Sequence, residues 1–555
     1  MTAVRLECRT ARTTPRHAPL VEAALAGRLA SLGLRVARAA DDVELPAERL
    51  DDEQRGVLSS RLERCLAPLR PNVAVLDAVR ALRAPGTWAV VTGQQPGLCG
   101  GPLYSLYKAL QAVRLARRLS QAWERPVVAM FWNHADDHDV AEVHHLHLLN
   151  ENLDLQRAGL ASLSSGRTPL GRLVLDEERH ALGGLRGFLE QSLARRNGGP
   201  SQQRVASEAL ELFLPRAGET LASAFTRTLT GLLGPYGLVV VEPEWIREEL
   251  SRALAGFVER DPLGALERNA ADLRAAGFEP AIDPREAALV YRVDDEGRHA
   301  LRGGGDGFRF DHEPGSRSGV ELAAEIVQDL GAWSPGALLR PCAQDLCLPV
   351  AAYLGGAGEL AYHAQLGALR SALGAPPTPF VLRRSAILVE PETAQSLRRL
   401  EVDVETVVEG RLADAVDDAV GAPPEALARL REAGERAVEA LLEPRREVAA
   451  FDAALATNLA RTAAQVREMV QKLVAKGERV HQNKSGKGRR HVRRVENSLL
   501  PRGEPQERVL GALPFVARFG AGWIETLLAH LDPFELAPLI ATFTDDADIA
   551  DEETT

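Results

Sequence analysis

Thr87-Trp88-Ala89-Val90-Val91 runs directly into Thr92-Gly93-Gln94-Gln95-Pro96-Gly97-Leu98-Cys99-Gly100-Gly101-Pro102, after which Leu103-Tyr104-Ser105-Leu106-Tyr107-Lys108 opens a helix reaching about Arg118. An apolar run, a glycine-rich loop and a helix start form a strand–loop–helix unit. Pro126-Val127-Val128-Ala129-Met130-Phe131-Trp132 follows at the distance of a parallel crossover, and Gly237-Leu238-Val239-Val240-Val241 repeats the pattern after a long helical stretch. Strands that read as continuous apolar runs, alternating with helices, predict an α/β fold: a doubly wound parallel sheet covered on both faces.

Around this core the chain divides by character. Residues 1–70 read as a polar, helical lead-in. The core occupies 71–274 and resumes over 331–390. Between them, 275–330 breaks the rhythm: Ala288-Leu289-Val290-Tyr291-Arg292-Val293, the turn Asp294-Asp295-Glu296-Gly297 and the glycines from Gly303 to Gly307 predict hairpins in an inserted β subdomain. Over 391–500, Leu455, Leu459, Thr462, Val466, Met469 and Leu473 form a heptad seam, with Leu427, Leu430, Ala437 and Leu441 as a partner stripe beyond Pro444. A helical hairpin or coiled coil follows. Residues 501–555 end in an acidic tail, Thr544-Asp545-Asp546-Ala547-Asp548.

The 555 residues, 45% hydrophobic and 26% charged, carry a net charge of -11. That balance excludes a general nucleic-acid binder, and no apolar run is long enough to cross a bilayer. Cys8, Cys65, Cys99, Cys342 and Cys347 form no CxxC pair, and the first eight residues hold no apolar export signal. The expectation is a cytoplasmic protein with free thiols. Lys484 to Arg494 packs six Lys/Arg and no acid into eleven residues, either a solvated helix face or a site for an anion.

Four further features point to chemistry. Gly93, Gly97, Gly100 and Gly101 between strand and helix let backbone N–H groups approach a phosphate closely, although the loop is neither a Walker A nor a GxGxxG sequence. Trp132-Asn133-His134-Ala135-Asp136-Asp137-His138-Asp139 ends the next strand, where ligands bind in open α/β sheets. Its aspartates suit an ammonium group or a phosphate-bound Mg²⁺, and His138 suits acid–base work; His134, His138 and Glu142 are also spaced to share a metal on one helix face. Arg340-Pro341-Cys342-Ala343-Gln344-Asp345 and Gly355-Gly356-Ala357-Gly358-Glu359-Leu360-Ala361-Tyr362-His363-Ala364-Gln365 offer a second glycine-rich approach to a ligand. Val381 to Glu390 reads as a late β run carrying Arg383, Arg384 and Ser385, which suit charge building on a leaving pyrophosphate.

In order along the chain, Val91 to Gly97 with Gly100-Gly101-Pro102-Leu103-Tyr104 and Tyr107-Lys108, Asp137-His138-Asp139, Arg340-Pro341 with Gln344-Asp345, Gly358 to Tyr362 with Ala364-Gln365, Arg383 with Ser385, and Leu500-Pro501 with Gln506-Glu507-Arg508 resemble the signature stretches of the bacillithiol-biosynthesis cysteine-adding enzymes, BshC. The resemblance implies a Rossmann-like core with an inserted connecting-peptide subdomain, similar to class I cysteinyl-tRNA synthetases, and a coiled coil that pairs subunits as a homodimer. It implies an ATP-dependent ligase, with Mg²⁺, joining L-cysteine to glucosaminyl malate. Asp137, His138, Asp139 and Arg383 would then be catalytic. Gly93, Gln94, Gln95, Gly97, Gly100, Gly101, Tyr104, Lys108, Arg340, Gln344, Asp345, Gly358, Glu359, Tyr362, Gln365 and Ser385 would bind nucleotide or substrate. The chain departs from the pattern at Asp136 (Glu), Cys99 (an aromatic or apolar residue) and His363 (Trp), and has neither HxGH nor KMSKS. A metal-dependent hydrolase using His134, Asp137 and His138, and a non-catalytic nucleotide-sensing scaffold, are the alternatives.

Overall fold

The computed structural model describes residues 5–14, 16–163, 166–196, 200–304, 307–311, 315–375, 377–412 and 425–544, without the side chains of 195–196, 453–454, 457 and 478–489. The acidic tail from Asp545, Gly305-Asp306 and the side chains of Lys484 to Arg489 in the basic run therefore lie outside the described residues. The chain forms two compact units, Met1–Val389 with Glu504–Thr555, and Glu390–Gly503.

The first unit is built on five parallel strands in the order Phe380–Leu382, Val350–Gly355, Trp88–Gln94, Val127–Asn133 and Val239–Val241. Trp88 pairs with Val127 and the register holds without a slip to Gln94 and Asn133. Successive residues of these strands enter different cores. Val90, Phe131, Val240 and Leu354 belong to one, Val91, Trp132, Val241 and Tyr353 to the other. A sheet buried on both faces needs apolar side chains at every position, which is why its strands carry no alternation. The helix Leu103–Trp123 covers the first face, and the fold is the doubly wound one that the sequence predicts.

The inserted sheet is antiparallel, in the order Trp333–Pro335, Ala288–Asp294, Gly297–Gly304 and Gly307–Phe310. Its first strand comes from beyond residue 330, so the inserted layer extends into the stretch read as resumed core. The lead-in differs more. Arg5–Thr10 is a strand, paired antiparallel with Leu539–Thr544, which pairs parallel with Ala386–Val389. The segment after 503 thus returns to the first unit. The late β run divides at Arg383-Arg384-Ser385, which carry the chain from the central sheet to this smaller one.

In the second unit the helix Glu425–Leu442 packs against the 47-residue helix Ala453–Leu499. The packed stripe is displaced from the predicted seam. Gly434 lies against Val470 and Gly477 against Leu427, with Val438 and Val474 buried, whereas Leu455, Met469 and Leu473 are exposed. Small residues let two backbones approach closely, and Gly434, Ala463 and Gly477 lie on that face, with Leu427 of the predicted partner stripe packed on Gly477.

Candidate active site

The carboxyl ends of Trp88–Gln94 and Val127–Asn133 open into a cleft of about 350 Å³, roofed by the inserted sheet. Gln94, Gln95, Trp132, His134, Asp136, Asp137, His138, Arg340, Glu359 and Tyr362 line it, together with Tyr291 and Arg298 from the insertion. A crevice beyond the carboxyl ends of parallel strands is the ordinary ligand position in such folds.

Its floor is a buried ion pair. Lys108, one turn into the helix that follows the glycine-rich loop, meets Glu359 from the helix Ala357–His363, and also donates to the Gly93 carbonyl and Gln94 Oε1, both at 2.9 Å. Glu359 also accepts from Tyr353 OH at 2.6 Å and from the Gly356 amide at 2.8 Å. Burial pushes the Glu359 carboxyl up, but Lys108 and these donors hold it below its ordinary range. Burial likewise lowers the Lys108 ammonium against the pull of Glu359.

Above the floor, Asp137 accepts from Gln95 Nε2 at 2.7 Å and from the amides of His138 and Asp139 at 2.7 and 3.3 Å. Burial pushes the Asp136 carboxyl up, but its ion pair with Arg247, helped by Arg298 and Ser334, holds it below its ordinary range. His134 is packed over Gly93: a Cβ there would stand 2.7 Å from the Trp132 carbonyl and 2.8 Å from His134 Nε2, so only glycine fits. That Nε2 is buried with no partner, and burial, reinforced by Arg340 and Lys108, drives the imidazole well below its usual range. It stays neutral at physiological pH.

A second cluster adjoins the floor. Arg383 donates to Glu507 Oε1 at 2.7 Å, and Ser385 Oγ to the same oxygen at 3.0 Å. The guanidinium lies 5.6 Å from the Tyr104 ring centre, with Lys108 at 5.7 Å, and burial pushes the Tyr104 hydroxyl up to about 12. A Cβ on Gly356 would stand 3.4 Å from Arg383 Nε and 3.7 Å from Glu359 Oε2, so Gly356 is where the two clusters meet.

Other expected site residues fall elsewhere. Gly97 and Gly101 are pressed together, a Cβ on Gly97 meeting Gly101 Cα at 2.6 Å, and Gly100 lies against Phe213 and Thr228. These glycines serve loop packing, leaving Gln94 and Gln95 as the part that lines the cleft. Cys99 is in the core, its thiol pushed up to about 12 by burial, and does not face a ligand. Asp139 is exposed and caps the short helix Val140–Val143. Asp345 is buried against Arg370 and Thr378, both away from the cleft. Gln365 exchanges hydrogen bonds with the Ile282 backbone, and Gln344 supports Arg340 from 3.0 Å. Gly358 has open space beside it.

No three His, Cys, Asp or Glu side chains assemble a metal-holding group among the described residues, and Glu142 is exposed. The hydrolase alternative loses its ligand set. Tyr291 and Arg298 were missed because a hairpin pattern carries no sign of which face it turns to the core. Glu507 was quoted only as part of a signature, and nothing local to it signals the distant Arg383.

Fold and cleft define a Rossmann-like α/β protein with an inserted antiparallel sheet and a separate helical unit. The N-terminal Rossmann-like domain of bacillithiol biosynthesis BshC matches residues 37–385, and its C-terminal coiled-coil domain matches 386–542. Relatives carrying the provisional name cysteine ligase BshC include one from Heliobacterium modesticaldum, 32% identical over 86% of this chain and 88% of its own length. Another, from a strain of Thermus thermophilus, is 34% identical over 80% of this chain and 86% of its own length. The chain belongs to the BshC family. The coiled-coil match includes the segment from Glu504, which the structure places with the first unit.

Proposed function

We propose that the chain is an ATP-dependent cysteine ligase that joins L-cysteine to the free amine of glucosaminyl malate, the last step of bacillithiol biosynthesis, acting in the cytoplasm as a homodimer. The relatives' names support the ligase class, and one observation carries the site: Asp137, held open to the cleft by Gln95, faces buried cations at the carboxyl end of a parallel sheet. A carboxylate opposite cations suits a substrate bearing both an amine and acids.

In this reading the cysteine carboxylate attacks the α-phosphorus of ATP and displaces pyrophosphate. The amine of the second substrate then attacks the acyl carbon, AMP leaves, and the amine proton passes to a base. No protein nucleophile is needed; positioning and charge stabilisation supply the rate. Arg383 and Lys108 are the cations proposed for the phosphates, each turning from its carboxylate partner, Glu507 or Glu359, as ATP binds, with Mg²⁺ carried in mainly on phosphate oxygens.

The test is direct. Purified full-length protein with ATP, Mg²⁺, L-cysteine and glucosaminyl malate should yield one thiol-bearing amide, one AMP and one pyrophosphate per turnover, by mass spectrometry and phosphate analysis. Asp137→Ala should reduce the rate at least about 100-fold, the scale of a lost positioning contact. Binding of all substrates without thiol product overturns the ligase reading, release of ADP and phosphate replaces the adenylate by an acyl phosphate, and an Asp137→Ala protein of full activity favours a scaffold.

A further inference from the structure

Two guanidinium groups line the cleft with no carboxylate at ion-pairing distance among the described residues. Arg298, from the inserted strand, donates to Ser334 Oγ and the Pro335 carbonyl, both at 3.0 Å, and lies 3.6 Å from the centre of the Tyr291 ring. Its Nε is buried with no partner. Arg340, 8% exposed, donates to Gln344 Oε1 at 3.0 Å and Tyr362 OH at 2.7 Å, and lies about 6 Å from the ring centres of Tyr353 and Tyr362. Neutral oxygens and aromatic faces orient these groups without cancelling their charge.

Other buried guanidinium groups in the first unit differ: Arg384, which does not line the cleft, spends its donors on the Ala537 and His530 carbonyls and Thr10 Oγ1, and others meet a carboxylate. Arg247 has Asp136, Arg370 has Asp345 and Arg383 has Glu507. The cleft's own acids are already committed, Asp136 to Arg247 and Glu359 to Lys108. Asp137 remains, bonded to an amide side chain and backbone N–H groups. The lining thus holds two uncommitted guanidinium charges against one carboxylate. Asp136 and Asp137 pull on Arg298, and Glu359 on Arg340, only from beyond ion-pairing distance, so a ligand carboxylate can take the contact position that the chain leaves open.

We infer that Arg298 and Arg340 form a two-sided carboxylate clamp, one jaw from the inserted sheet and one from the core, that holds an acid group of the substrate while Asp137 takes an amine. A planar guanidinium suits this task because it can grip a carboxylate through two parallel N–H donors. The clamp also gives the insertion a role: Gly297, at φ +119°, turns the hairpin just before Arg298, and a Cβ there would strike the Arg167 backbone at 2.7 Å. Which molecule supplies the acid rests on the ligase reading, in which both the malate half of the acceptor and cysteine itself carry carboxylates.

The experiment is calorimetric titration of the full-length protein with L-malate and, separately, L-cysteine, on wild type, Arg298→Gln, Arg340→Gln and the two Arg→Lys variants. L-malate should bind wild type and weaken at least tenfold in each Gln variant, with partial recovery in the Lys variants. A loss confined to L-cysteine keeps the clamp and assigns it to the amino-acid carboxylate. Unchanged binding of both probes in both Gln variants overturns it, as does failure of both probes to bind wild type. Should a Gln variant not fold, L-malate or L-cysteine must slow modification of Arg298 and Arg340 by a dicarbonyl reagent in the unaltered protein; no protection overturns the clamp equally. Carboxylate binding that needs both arginines, in a protein that makes no amide, leaves the clamp standing and removes only the ligase reading.

Discussion

His363 sits behind the cleft floor, stacked on Tyr353 with ring centres 4.7 Å apart and edge-on to Phe380 at 5.1 Å. Its Nε2 is buried without a partner, and burial, then Arg370 and Arg340, push its pKa well below the ordinary 6.5. The unfolded chain therefore takes up a proton near pH 6.5 that the folded chain refuses. Stability from this residue is complete above that pH and lost as pH falls below it, by up to about 1.4 kcal/mol per pH unit. His134 behaves in the same sense. Glu359 and Asp136, held below their ordinary 4.5 and 3.8, lose their contributions only in stronger acid. His363→Phe keeps the stacking and removes the titration. Urea unfolding at pH 7 and pH 6 should show the variant losing less stability than wild type between the two, by about 0.7 kcal/mol, since the unfolded imidazole is only part-way through its titration there. Parallel losses would mean His363 is protonated in the folded state.

At the scale of elements, the central sheet was legible because burial on both faces leaves a continuous apolar run, as in Trp88 to Val91 and Val127 to Trp132. The position of the cleft followed from the ends of those strands. Which glycines face a ligand did not follow, since glycine records a close approach without recording what approaches: Gly93 admits His134, while Gly97 admits Gly101. The strand Arg5–Thr10 was missed because only Leu6 is buried among its polar residues. Its partner Leu539–Thr544 lies over 500 residues away in sequence and is the middle strand of its sheet. Phe543 anchors that strand, fully buried, with its ring centre 4.0 Å from Phe519 and 5.8 Å from Trp523. Phe543→Ala should cost about 3–5 kcal/mol in denaturant unfolding. A loss under about 1 kcal/mol would show that the chain ends are not part of the cooperative core.

At the scale of the whole molecule, the displaced seam of the second unit bears on assembly. Leu455, Met469 and Leu473 keep heptad spacing along the helix Ala453–Leu499, yet they are 50%, 70% and 54% exposed, because the intramolecular contact uses the small-residue face beside them. A regular apolar stripe left open to water is what a second helix covers in a coiled coil. Under the proposed homodimer that helix comes from another copy of the chain, and light scattering after size exclusion should give about twice the 60.0 kDa chain mass. Replacing Leu455 and Leu473 together by Glu puts two charges where the partner's apolar side chains would lie, while both positions already face solvent in the single chain. The double variant should therefore keep its helical circular dichroism and run as a monomer. A wild-type monomer at tens of micromolar, or a double variant that remains dimeric, would remove this stripe from the assembly.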